Sequence, residues 1–301
     1  MPANFYAVSY GLTLSPAALD RVRGVLTDSG ARLLDEDHET AERFAVHSVA
    51  LRLETDRGGS PERALAALRR NLAAAAPAGV DTAVVPASLR RAGRKFIIMD
   101  VDSTLIQQEV IELLAAHAGT EAQVAEVTAA AMRGELDFAR SLHARVATLA
   151  GLPESVLAEV GAKVLLTDGA ERLVREAKAA GHVVAAVSGG FSQILAPLAA
   201  SLDLDYALAN ELEIADGVLT GRVLGDVVDR AAKARALRRW SAAEGIDLDR
   251  TVAIGDGAND LDMMAVAGLS VAFNAKPAVC EAADAQINIP FLDVALHLAG
   301  I

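Results

Sequence analysis

The pattern of apolar runs predicts an α/β protein, a doubly wound parallel sheet with a helical cap insertion, preceded by a small α+β ferredoxin-like unit. Three observations carry this. The short apolar runs KFIIMD (95–100), HVVAAVS (182–188) and RTVAIGD (250–256) suit central strands buried on both faces. Helical patterns, including 169–181 and 231–245, lie between them. Residues 105–160 are mostly helical and contain no convincing strand, which places a cap directly after the first central strand.

The N-terminal part reads element by element as βαββαβ, a split unit of ferredoxin type. Residues 4–10 form a strand, and residues 16–29 form a helix capped by Ser15. Strands follow at 31–36 and 43–55, the second with partial alternation of apolar residues. A helix over 61–76 starts at Pro61, and 79–86 is the last strand. The polar, basic stretch up to Arg94 serves as a linker, giving domains 1–88 and 95–301 joined by 89–94. Farther on, two alternating runs surround Asp216-Gly217, a strong hairpin signal.

Composition narrows the function. Apolar residues are 52% of the 301, enough for a large core, yet no uninterrupted run approaches the ~18 needed to span a membrane. The N-terminus lacks the basic start and apolar block of a signal peptide. Cys280 is the only cysteine, so no internal disulfide forms and a reducing cytoplasm is expected. Residues 1–94 carry 12 basic and 11 acidic residues, the remainder 16 and 29. An acidic second part disfavours nucleic acid and anionic membranes and suits a site that needs a cation.

Three motifs end strands of the predicted sheet, where open α/β sheets bind ligands. Asp100-Val101-Asp102-Ser103-Thr104 places two carboxylates in one turn, although carboxylates favour turns on their own account. Ser188-Gly189-Gly190 is expected to open a helix, whose free N–H groups would hold an anion; a plain tight turn is the alternative. Gly255-Asp256-Gly257-Ala258-Asn259-Asp260 brings Asp256 within reach of a cation held by the first motif. Lys233, opening a later helix, would supply fixed positive charge. The six histidines show no metal-ligand spacing and read as structural, as does Trp240.

These motifs, in this order, resemble the loop pattern of the haloacid dehalogenase (HAD) superfamily. Within it, the chain resembles bacterial phosphoserine phosphatases. The likeness rests on DVDST (100–104), Glu109, VTAAAM (127–132), GELDF (134–138), SLHARV (141–146), SGGF (188–191), Lys233, GDGANDLDMM (255–264) and AGLSVAFNAKP (267–277). It covers about 95–298, with Asp168 and Ser270 as departures where proline and glycine are common. The N-terminal unit resembles ACT-like regulatory domains in architecture. Its first turn, Tyr10 to Pro16, lacks the usual Gly/Pro-rich sequence, so packing or homodimer formation is expected of it at least as much as amino-acid binding.

The resemblance implies a mechanism. Asp100 is the nucleophile and Asp102 the general acid and base, with Ser188, Gly189, Gly190 and Lys233 on the phosphoryl oxygens. It implies Mg²⁺ held by Asp100, the backbone carbonyl of Asp102 and Asp256, with Asn259 and Asp260 in support and Asn259 reaching the phosphate. The implied substrate is O-phosphoserine, from the last step of serine biosynthesis. Glu109 would pair with its ammonium, Arg145 with its carboxylate, and Met132 and Phe138 would exclude water. Surface charge is the alternative reading of Glu109 and Arg145. Two other functions remain open: phosphoryl transfer to another alcohol such as homoserine, and a silent amino-acid sensor. Intact Asp100, Asp102, Lys233 and Asp256 argue against the sensor.

Overall fold

A computed structural model describes residues 4–40, 43–53, 60–132 and 135–301. Its first sheet is built from β1 (Phe5–Gly11), α1 (Pro16–Asp28), β2 (Ala31–Thr40), β3 (Ala45–Leu53), α2 (Pro61–Ala74) and β4 (Asp81–Pro86). The strands run antiparallel in the order β2-β3-β1-β4. Helix α1 starts where Ser15 accepts the N–H of Ala18 and Pro16 occupies the first turn.

Alternation along these strands makes two apolar faces. Ala7, Val49, Leu51 and Val84 pack against Val22 and Leu26 of α1 and Leu68 and Leu72 of α2. Val8, Tyr10, Val46, Ala83 and Val85 point the other way, into a core shared with the second sheet. The connection is a turn of helix, α3 (Ala87–Arg90), with Leu89 buried. The expected linker 89–94 therefore begins inside packed structure, because Ala87 and Leu89 are apolar and face the core.

The second sheet holds β5 (Phe96–Met99), β6 (Val183–Phe191), β7 (Tyr206–Ala215), β8 (Val218–Leu224), β9 (Thr251–Gly255), β10 (Leu269–Phe273) and β11 (Ala285–Ile287). Its order is β11-β10-β9-β5-β6-β7-β8, parallel except for the β7–β8 hairpin. Asp216 and Gly217 turn that hairpin with φ of 52° and 75°, the left-handed pair such a turn requires. Four helices fill the insertion: α4 (Val110–Ala118), α5 (Glu121–Met132), α6 (Phe138–Ala147) and α7 (Ser155–Gly161). The rest flank the sheet: α8 (Ala170–Ala179), α9 (Ser192–Ser201), α10 (Arg230–Ala243), α11 (Leu261–Val266), α12 (Pro277–Ala282) and α13 (Val294–Ala299). No described helix is long and apolar enough to cross a membrane.

Successive residues of β5 face opposite cores. Ile97 and Met99 join the core shared with the first sheet, and Phe96 and Ile98 pack with Leu237, Trp240 and Met263. The strand order reverses at β5, with β6 on one side and β9 on the other, so a crevice opens at its carboxyl end.

Candidate active site

Asp100 follows β5 and is buried. Its Oδ1 accepts the Val101 N–H at 2.7 Å and lies 2.7 Å from Lys233 Nζ. Its Oδ2 receives only a long contact, 3.4 Å from Asn259 Nδ2 among the described residues. The chain then turns sharply: Ser103 adopts φ 56°, and Ile106 N–H reaches back to the Val101 carbonyl. This turn brings Asp102 to partners of its own. Asp102 Oδ1 accepts the Val110 N–H and Oδ2 accepts the Ser188 hydroxyl, both at 2.8 Å. Burial, then the charges of Glu109 and Asp100, push the Asp102 carboxyl up to about 7.

Lys233 is fully buried on α10, in the turn capped by Asp229, and its Nζ also lies 2.7 Å from Asp260 Oδ1. Burial alone would lower the ammonium's pKa; Asp100 and Asp260 hold it above its ordinary value. Asp256 follows β9, and burial and Asp100 raise its carboxyl to about 6. Asp260 is raised to about 7 by burial and Asp100, although it also accepts the Gly257 N–H at 3.1 Å. A side chain at Gly255 would meet Asp260 Oδ2 at 2.4 Å, so only glycine lets this loop fold onto the strand end.

Oxygens of Asp100, Asp256 and Asp260 all lie within 4.8 Å of one another. Three carboxylates around one lysine leave excess negative charge, and an all-oxygen donor set suits a hard divalent cation. Of the residues expected at a metal, Asp100 and Asp256 converge here, whereas the Asp102 carboxyl is committed to Ser188 and Val110. Asp260 joins the cluster with both oxygens already engaged by Lys233 and Gly257.

Ser188 lies at the end of β6, which continues extended to Phe191, so α9 starts at Ser192 and not at the glycines. The expected helix start is thus displaced. Ser188 Oγ itself accepts the Gly190 N–H at 2.7 Å, and Asn210 Nδ2 binds the Gly189 carbonyl at 2.8 Å. Those bonds hold the segment open beside the sheet. A side chain at Gly189 would meet Phe138 Cζ at 2.8 Å, which brings the cap down onto this turn.

Between cap and sheet lies a cavity of about 830 Å³. Asp100, Asp102, Glu109, Phe138, Arg145, Gly189, Gly190, Asp256 and Asn259 line it. Glu109 Oε1 accepts the Ser103 hydroxyl at 2.7 Å. Arg145 on α6 has no carboxylate within 4.0 Å among the described residues, and its guanidinium donates to the Ser141 carbonyl at 3.3 Å. Burial lowers its pKa, against the raising effect of Glu109, Asp102 and Glu112. The Met132 side chain lies outside the described residues.

Residues 97–265 match the family of haloacid dehalogenase-like hydrolases. The chain belongs to this family. A phosphoserine phosphatase of Streptomyces coelicolor is 55% identical over 297 residues, covering 97% of this chain and 69% of that protein. One from Mycobacterium tuberculosis is 53% identical over 75% of this chain, which spans 56% of that relative's length. A solved structure of a phospho-aspartyl intermediate analogue of phosphoserine phosphatase matches with TM-score 0.65 and 43% identity, over 68% of this chain and 99% of that one.

Sequence reasoning missed several parts of this haloacid dehalogenase-like site. Asn210 sits on β7 and reaches the glycine turn 21 residues earlier, with no local pattern to mark it. Glu112, Thr128, Ser141, Arg230 and Lys276 also line the cavity. For Glu112 the signal was available: it lies one helical turn after Glu109 and shares its face.

Proposed function

We propose that this hydrolase cleaves O-phosphoserine to serine and phosphate through an aspartyl phosphate on Asp100. The carrying observation is the divergence of two neighbouring carboxyls. Asp100 is ion-paired to Lys233 through one oxygen and meets only the long Asn259 contact at the other, while Asp102 is buried, hydrogen-bonded to Ser188 and raised to about 7. One is held as a nucleophile and the other can hold a proton near neutral pH.

In the first step Asp100 Oδ2 forms a bond to phosphorus as the bond to the serine oxygen breaks, and Asp102 gives that oxygen its proton. In the second, water attacks the aspartyl phosphate, Asp102 takes the water's proton, and phosphate leaves with Asp100 restored. Lys233, Ser188 and the Gly189 N–H would hold the phosphoryl oxygens, Gly190 leaves room for their approach because a side chain there would meet Asp102 Oδ2 at 2.8 Å, and Asn259 assists. Asp100, Asp256 and the Asp102 carbonyl would hold Mg²⁺, which when bound neutralises phosphoryl charge. Arg145, half-buried and with no carboxylate within 4.0 Å among the described residues, fits the substrate carboxylate, and Glu109 fits the ammonium. Phe138 screens the reacting atoms from water.

For the rest of the chain, we read 1–88 as an ACT-like domain and 95–301 as the catalytic domain. The buried face of the first sheet favours packing as the role of the former. Absence of partner cysteines suits a cytoplasmic biosynthetic enzyme. Phosphate release from a panel of phosphomonoesters, with and without Mg²⁺, tests the proposal. Preference for phosphoserine with an absolute Mg²⁺ requirement is expected, and metal-independent or indiscriminate release would contradict it.

A further inference from the structure

Two cations line the cavity outside the roles given above, Arg230 and Lys276. Their situations differ. Arg230 is committed, with Nη2 2.5 Å from Asp262 Oδ1. Lys276 is exposed, with no ion pair within 4.0 Å among the described residues, and its charge acts on the neighbouring Asp256 carboxyl. The backbone places it. Asn274 turns the chain back at φ 42°, Lys276 N–H donates to the Asp256 carbonyl at 3.1 Å, and Pro277 then starts α12. The loop is thereby fastened to the strand end that carries Asp256, and Lys276 lines the cavity from it.

The charge around it makes that cation consequential. Asp100, Asp102, Glu109, Glu112 and Asp256 line the same cavity, and the chain carries a net charge of −12. A phosphomonoester dianion approaching such a mouth is repelled unless a cation stands at the rim. Arg145 lies inside the cap, half-buried, and Lys233 is sealed beneath Asp100. Lys276 alone among the described lining cations is both exposed and unpaired.

We infer that Lys276 is the capture residue of this site, an ammonium at the mouth that draws in the phosphate group and holds it before it reaches Asp100. This rests on the reading that the site takes a phosphomonoester, and adds a residue that acts on the phosphate whatever alcohol it esterifies. It is a positioning residue, since Lys233 and Asp100 meet the reacting atoms.

The test compares Lys276→Ala, Lys276→Glu and Lys276→Arg with the unaltered chain, on phosphoserine and on an aryl phosphate, across a range of ionic strength with saturating Mg²⁺. At low salt, kcat/KM in Lys276→Ala is expected to fall about tenfold on both substrates, and further in Lys276→Glu. The loss should sit in KM, and the decline of kcat/KM with salt should flatten. Lys276→Arg should stay within about twofold, because it keeps the charge. A purely structural loop residue would change neither the salt dependence nor the contrast between Arg and Glu. Unchanged kcat/KM in Lys276→Glu, or a loss confined to kcat, overturns the inference. If the chain cleaves the aryl phosphate and not phosphoserine, the substrate reading fails while the Lys276 comparison still decides its own question. Failure to act on either ester overturns both.

Discussion

The seam between the two sheets and the floor of the cavity both bury carboxylates, but they balance them differently. At the seam, Asp293 is wholly buried and meets two arginines, Arg43 at 3.0 Å and Arg172 at 3.3 Å. Asp284 pairs with Arg69 and also accepts the N–H and hydroxyl of Ser270 at 3.0 and 2.9 Å. There each acid has its own cation, and Arg43 and Arg69 tie the first sheet to the second. At the cavity floor Asp100, Asp256 and Asp260 cluster, Lys233 pairs with Asp100 and Asp260, no cation among the described residues pairs with Asp256 within 4.0 Å, and Asp256 and Asp260 are raised to about 6 and about 7. Paired charge fixes the seam's geometry; surplus charge prepares the floor for a cation and a proton.

The largest expected effect comes from removing the nucleophile. Asp100→Asn should lower phosphate release on the order of 10⁴-fold or more, measured at saturating Mg²⁺. Retention of substantial turnover would move the chemistry to another residue.

Asp102→Asn should slow phosphorylation by phosphoserine roughly 10²–10⁴-fold and that by an activated aryl phosphate far less, in single-turnover experiments. A serine alkoxide needs the proton, whereas a phenolate leaves with less help. The same proton sets a pH dependence. For phosphoserine, kcat/KM should decline as pH rises through about 7, where Asp102 ionises. Equal losses on both esters would remove the acid role.

Stability separates the two regions. Asp293→Asn takes the carboxylate from Arg43 and one of two from Arg172, which keeps Glu176 at 2.8 Å, and should cost about 2 kcal/mol in urea unfolding. Asp256→Asn, measured without Mg²⁺, should cost nothing or stabilise, because it relieves repulsion. A carboxyl raised on folding binds its proton more tightly folded than unfolded. Mg²⁺-free stability should therefore fall as pH climbs from about 4 through about 6, and Asp256→Asn should flatten that fall. A large loss in both variants would make the cavity carboxylates structural and erase the distinction.

What the sequence made legible follows the same division. Strands β5, β6 and β9 stood out because burial on both faces leaves continuous apolar runs. Strands β10 and β11 did not: Ser270 interrupts the apolar run of β10, and β11 is three residues long with Gln286 at its centre. Asp100, Asp102 and Asp256 were readable from their places after strands. Glu109 and Arg145 needed the family resemblance, since one helix charge looks like another until a cavity lies beside it. Asn210 depends on a contact between segments far apart in the chain, which no local pattern encodes, whereas Lys276 lies within AGLSVAFNAKP but its place over the cavity shows only in the fold.

The smallest expected effect is on selectivity. Arg145→Lys should weaken phosphoserine by roughly 1–3 kcal/mol in kcat/KM, chiefly through KM, and leave a carboxylate-free phosphomonoester nearly unchanged. An unchanged ratio between the two would place recognition of the carboxylate elsewhere.

The covalent intermediate tests the account most directly. Phosphoserine labelled in its phosphate, mixed with the Mg²⁺-loaded protein and quenched in acid within a turnover, should leave a hydroxylamine-labile label on Asp100 after peptide mapping. Label on any other residue, or none while phosphate is being released, would contradict an aspartyl phosphate at Asp100.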